Sequence, residues 1–222
     1  MTKPPSPALR PKDAATVLVI RRDGPRPRVL MGRRAGGHAF MPDLWVFPGG
    51  RIHTADFRVP LASDLSPATA EALGRTAPPP RARALAAAAV RELFEETGLM
   101  LARPGQARTR SPEWRDFLGR GLLPDLAPLQ FVARAITPPV RPRRFDARFF
   151  AVDAQHLVSL DPGPGCGELT EIAWFDWEAA AQLDLPGITR AILAETRLRM
   201  DDPGRPIPYH RFDNGQHRLL AV

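Results

Sequence analysis

One helix limits this chain more than any other feature. From Arg81 to Thr97 there is no Gly or Pro and much Ala, and Gly98 stands where a left-handed helix cap is expected. Ala86, Val90, Leu93 and Thr97 share one stripe at helical spacing, so the helix must bury that stripe against other elements. Glu92, Glu95 and Glu96 are related by i, i+3 and i+4, which brings three carboxylates together away from the stripe. Carboxylates this close repel one another, and a divalent cation would supply the missing compensation; hard oxygen ligands favour Mg²⁺ or Mn²⁺ over zinc. A solvated acidic helix face is the ordinary alternative for such a triplet.

The remaining pattern surrounds this helix with strands. Ala15–Ile20 reads as a buried strand and Arg28–Met31 as its hairpin partner across the turn Arg22–Pro25, while the short apolar run Leu44–Phe47 is stopped by Pro48-Gly49-Gly50. Further strands are expected at 129–136, 144–152 and 169–175, and helices from Ser111-Pro112, at 176–184 and at 187–200. Strands mixed with helices in no strict alternation predict an α+β domain with a mixed sheet and helices on its faces. Residues 1–12 read as a disordered arm, 13–201 as one domain and 202–222 as a C-terminal tail whose Tyr209-His210-Arg211-Phe212 run lines a pocket or covers a sheet edge. Residues 57–80 show neither hydrophobic period and end in three prolines, so they read as a flexible insertion.

Composition adds little. The chain has 222 residues, 44% of them hydrophobic, with no apolar run of membrane-spanning length and no signal-like start, so a cytoplasmic protein without membrane association is expected. The formal charge of +7 is almost all arginine, lysine occurring only at Lys3 and Lys12. It is scattered from end to end, which suits an anionic small molecule as well as a coding bias, and there is no basic block or aromatic motif for nucleic acid. A lone cysteine, Cys166, rules out an intrachain disulfide.

The segment Arg91-Glu92-Leu93-x-Glu95-Glu96-x-Gly98-Leu99 resembles the second half of the Nudix hydrolase signature, R-E-U-x-E-E-x-G-U with U aliphatic, at every specified position. The first half, G-x5-E, would begin at Gly50 of the Pro-Gly-Gly turn and reach Asp56, an Asp where the signature has Glu. Seven residues separate that acid from the Arg in the signature, whereas residues 57–90 intervene here, so the box is interrupted by about 27 extra residues. The interruption resembles the branch that includes peroxisomal coenzyme A diphosphatases, as do Gly37–Pro42 and Arg144-Phe145-Asp146-x-Arg148-Phe149-Phe150.

That resemblance implies an α/β/α sandwich with an insertion inside the box, and Mg²⁺- or Mn²⁺-dependent hydrolysis of a diphosphate linkage in a nucleoside diphosphate derivative. Coenzyme A or an acyl derivative is the first expected substrate; ADP-ribose, nucleotide sugars or dinucleotides are the alternative, and a non-catalytic nucleotide-binding regulator is the alternative of another class. By resemblance Glu92, Glu95, Glu96 and the Gly50 carbonyl hold the metal, Glu92 also helps deprotonate water, Arg91 orients a carboxylate, and Glu168 is a further acid from the later Gly-rich loop. Arg33, Arg34, Arg51, Arg143 and Arg144 are expected around the phosphates, and Phe40 beside a base. A homodimer is left open.

Overall fold

The computed structural model describes residues 9–36, 42–139, 141–163, 165–213 and 215–222. Its centre is β1 (Lys12–Arg21), whose Val17, Leu18, Val19 and Ile20 are all buried because the strand is covered on both faces. Along one edge β1 runs parallel to β8 (Phe145–Asp153) through nine paired positions. Its other edge is shared: β2 (Arg28–Arg34) pairs antiparallel at Ile20–Arg21, and β4 (Gly49–Arg51) pairs antiparallel at Ala14–Thr16. Beyond β2 lie β3 (Trp45–Val46) and β9 (Leu169–Asp176), and beyond β8 lies β7 (Gln130–Ile136).

Helices cover both faces. On the Ala15, Val17, Val19 and Phe150 face pack α1 (Pro67–Gly74), α2 (Pro79–Thr97) and α3 (Pro112–Gly119). On the Leu18, Ile20, Ala133 and Phe149 face pack α4 (Trp177–Gln182) and α5 (Gly187–Asp201). A small hairpin of β5 (Ala102–Pro104) and β6 (Leu122–Pro124) flanks α3. This is the expected α/β/α sandwich around a mixed sheet. Among the described residues no helix is long and apolar enough to cross a membrane.

α2 begins two residues before the expected Arg81, at Pro79 in the first helical position, and ends at Thr97, where Gly98 with a φ of 73° is the expected cap. Its apolar side is built almost wholly of Ala, with Ala84 through Ala89 and Leu85 fully buried, so the helix axis can approach the sheet closely. At α3 the expected cap differs: the Ser111 hydroxyl donates to the Glu113 carboxylate instead of accepting from the helix backbone.

Two readings need correction. The segment 57–80 is not the flexible excursion expected, since Phe57 ends a 3-10 turn and Pro79 and Pro80 already belong to α2. The segment contains α1, capped by Ser66, whose buried Leu73 belongs to the core; the Thr69 hydroxyl donates to the Leu129 carbonyl at 2.8 Å and Arg148 donates to the Thr76 carbonyl at 3.1 Å. The helical pattern is too short to read from sequence, since about two turns offer only Leu73 and Ala72 to the core, and Val59, Leu61, Leu65 and Ala77 join it from outside the helix. The arm, in turn, ends earlier than 12, because Lys12 already pairs with Phe145; residues 1–8 lie outside the described residues.

The C-terminal tail becomes β10 (Pro208–Asp213) and β11 (Gln216–Ala221), an antiparallel hairpin that joins the sheet through β10 pairing parallel to β7. It therefore covers a sheet edge, and His210, Phe212 and His217 also line the adjoining cleft.

Candidate active site

The Pro-Gly-Gly turn delivers its glycines against both β1 and α2. A Cβ on Gly49 would lie 2.5 Å from the Ala15 carbonyl oxygen, so the strand backbone requires glycine there, and a side chain on Gly50 would displace the Glu92 carboxylate. The Gly49 N–H donates to Glu96 Oε2 at 2.9 Å. Glu96 is 1% exposed, and its Oε1 is buried without a hydrogen-bond partner among the described residues.

Arg91, also 1% exposed, organises the cluster. Its Nε and one terminal nitrogen form a bidentate pair with Asp56 at 3.0 and 3.1 Å, and the latter nitrogen also donates to the Arg51 carbonyl at 3.0 Å. The other terminal nitrogen donates to Glu92 Oε1 and Glu95 Oε2, each at 2.8 Å. Asp56 is held in turn by the His53 backbone N–H at 2.7 Å and by the Trp114 indole N–H at 3.0 Å. The interrupted box thus closes in space: the acid six residues after Gly50 meets Arg91 from the far side of the insertion.

Burial raises the pKa of all three glutamates. Glu92 is pushed up to about 7 by desolvation, with Arg91 opposing. Glu95 is raised by desolvation against the same arginine, and Glu96 well above its ordinary value by desolvation and by Glu92.

These carboxylates open on a cleft of about 1210 Å³. Of the residues expected at the site, Arg91, Glu92, Glu95, Gly50, Arg51, Glu168, Arg143 and Arg144 all line it, and Glu96 lies buried behind Gly49. Glu168 is ion-paired with Arg34 at 2.9 Å, at the same mouth. Arg144 donates to the Thr137 and Leu9 carbonyls and so helps shape the loop that bears it. Arg33 is misplaced by the sequence reading: it pairs with exposed Glu171 on β9 at 2.9 Å and does not reach the cleft, whereas its neighbour Arg34 does, because successive strand residues face opposite ways. Phe40 lies outside the described residues.

Sequence reasoning also missed Trp114. Nothing in its spacing shows that α3 would turn the indole onto Asp56; the Asp56 role itself was signalled by its distance from Gly50.

The donor set fits a hard divalent ion. It is all carboxylate and carbonyl oxygen, Glu96 keeps a buried oxygen without a partner, and Glu92 lies directly against the Gly50 backbone. Among the described residues, however, no three acidic, histidine or cysteine side chains already stand in a metal-holding group, as Arg91 engages one oxygen each of Glu92 and Glu95.

No family model matches the chain. Its fold is similar to the crystal structure of a NUDIX hydrolase from Alicyclobacillus acidocaldarius, with 27% identity, a TM-score of 0.63, and coverage of 86% of this chain and 96% of that one. The chain has the Nudix fold. The NUDIX domain of Shewanella oneidensis NrtR, solved with ADP ribose, matches at a TM-score of 0.51 with 12% identity over 89% of this chain and 94% of that one. That second likeness concerns the fold alone. In sequence, the chain is 33% identical to the acyl-coenzyme A diphosphatase NUDT19 of Gallus gallus over 42% of its own length, and it spans only 33% of that relative. Within that fold, the segment Arg91–Leu99 that resembles the box half occupies the end of α2 and its Gly98 cap, and α1 lies in the stretch between Asp56 and Arg91.

The raised carboxyl pKa values predict how stability depends on pH without metal. The folded form holds protons on Glu92 that the unfolded chain releases near its ordinary pKa of 4.5, so stability is lost as pH rises from there through about 7. The loss is of order 3 kcal/mol for a shift of this size. We expect the melting temperature in EDTA to fall between pH 5.5 and 8, and the stabilisation by Mg²⁺ to be larger at pH 8. Scanning fluorimetry at both pH values checks this; a metal-free protein no less stable at pH 8 would contradict it.

Proposed function

We propose that the protein is a divalent-metal-dependent diphosphohydrolase that cuts coenzyme A or an acyl derivative to 3′,5′-ADP and phosphopantetheine or its acyl form. The observation that carries this reading is the Arg91-organised glutamate cluster opening into one end of a long cleft with cationic walls. Glu92, Glu95, Glu96 and the Gly50 carbonyl are the groups that would hold Mg²⁺ or Mn²⁺. Such an ion neutralises diphosphate charge and lowers the pKa of water.

The chain's own residues do the rest. Glu92 faces the cleft and accepts the proton of the water that adds to phosphorus; the bridging P–O bond breaks and its oxygen leaves with the departing half. Arg91 fixes Glu92 and Glu95 by charge-assisted hydrogen bonds, and Asp56 with Trp114 fixes Arg91. Glu168 brings a further carboxylate to the mouth, and Arg51 brings a cation there.

Coenzyme A is favoured by the partial likeness to the chicken acyl-coenzyme A diphosphatase and by the interrupted box. Coenzyme A has a 3′-phosphate that ADP-ribose and dephospho-coenzyme A lack, and one charged contact to it contributes about 1.5–3 kcal/mol. We therefore expect kcat/KM for coenzyme A to exceed that for dephospho-coenzyme A by roughly tenfold or more. Equal values would rule out recognition of that phosphate, and faster turnover of ADP-ribose would overturn the substrate assignment.

A further inference from the structure

Strand register lays a straight path from the glutamate cluster to the C-terminal hairpin. Arg51 is paired with Ala14, Ala14 with Ala147, Ala147 with Ala135, and Ala135 with His210. All five residues line the cleft, so its floor along this row is three alanines and its far end is a histidine. Four strand spacings make the row about 19 Å long. A small-residue floor of that length suits an elongated ligand lying across the strands.

The far end has its own chemistry. His210 and His217 are stacked with ring centroids 5.3 Å apart and 15° between planes, and Phe212 lies 5.3 Å from His217. His210 Nδ1 is 3.2 Å from His217 Nε2, and His210, 8% exposed as a residue, keeps its Nε2 buried without a partner among the described residues. An unsatisfied buried nitrogen is costly unless a ligand or rearrangement meets it.

Continuing the β10 to β7 register brings Phe212 beside Thr137, where the connection to β8 begins. That connection carries Arg141 and Arg143, which line the same cleft and make no side-chain hydrogen bond or ion pair among the described residues. Phe212, His210, His217, Arg141 and Arg143 all line this cleft, and the register through Thr137 assigns them to one corner of it.

We propose that this corner is a subsite for a purine nucleotide bearing a phosphomonoester, with the ring stacked on the Phe212 and His217 faces and the phosphate held by Arg141 and Arg143. The hairpin is then the part of the chain that selects the nucleotide half of the substrate. The assignment rests on the proposed diphosphate hydrolysis only for its orientation: the scissile linkage lies at the glutamates and the nucleotide points toward β10. Stacking tolerates different bases, whereas paired guanidinium groups discriminate strongly for phosphate.

The test measures binding without turnover. Adenosine 3′,5′-bisphosphate and adenosine 5′-monophosphate are titrated calorimetrically into the full chain without added metal. We expect the bisphosphate to bind at least tenfold tighter, the Arg141→Ser, Arg143→Ser double variant to erase that difference, and Phe212→Leu to weaken both nucleotides about fivefold or more. Both arginines sit on a surface connection, so their replacement leaves the core untouched even where Phe212→Leu disturbs the hairpin. Equal affinities in the wild type, or an unchanged ratio in the arginine double variant, overturns the subsite. Discrimination that persists in a protein unable to cleave coenzyme A supports the subsite and sinks the proposed reaction; cleavage without discrimination does the reverse.

Discussion

Replacing Asp56 with alanine should destabilise the protein by about 3–5 kcal/mol, the usual consequence of stranding one partner of a buried ion pair. Arg91 and Asp56 side chains are 1% and 0% exposed, and no solvent is at hand to replace the two hydrogen bonds that Arg91 would lose. The Trp114 indole and the His53 backbone N–H would lose their acceptor as well. For a chain of this size the melting temperature should fall by on the order of 10 °C. Asp56→Asn keeps an acceptor for Trp114 and should cost less. Urea unfolding of both variants measures this directly, and a loss below about 1 kcal/mol for the alanine variant would show that the divided box is not held together by this pair.

Glu96→Gln should have the opposite profile. The side chain keeps its shape and an oxygen for the Gly49 N–H, and burial already favours the uncharged carboxyl, so the metal-free fold should be as stable as wild type or more so. Turnover should nevertheless fall on the order of a hundredfold or more, because the amide removes the negative oxygen that has no partner inside the protein. Steady-state rates across a Mg²⁺ titration decide it. Wild-type rates at limiting Mg²⁺ would remove Glu96 from the ligand set.

The parts of this site that are legible in sequence are those fixed by local period. The helix Arg81–Thr97, its Gly98 cap and the convergence of Glu92, Glu95 and Glu96 follow from 3.6-residue geometry, and the strands at 129–136, 144–152 and 169–175 follow from apolar runs between turn residues. What stayed hidden depends on contacts between distant segments. The spacing from Gly50 to Asp56 hinted at a role, but only the fold shows that α1 and the rest of the insertion pack as core while Asp56 reaches back to Arg91. Trp114 could be placed only once α3 had a fixed direction, and Arg34 could be told from Arg33 only once β2 had one. Likewise, the tail reads as polar and aromatic in sequence, and its stacked histidines arise from cross-strand neighbours in a hairpin that joins β7.

If the glutamate cluster directs water onto a diphosphate phosphorus, one oxygen of the solvent must appear in a product. The most direct measurement is the mass of the products formed from coenzyme A and Mg²⁺ in oxygen-18 water. We expect 3′,5′-ADP and phosphopantetheine, one of them carrying a single solvent oxygen, both formed on the order of a hundredfold or more slowly by Glu96→Gln. Intact coenzyme A, or labelled products formed equally well by that variant, would contradict it.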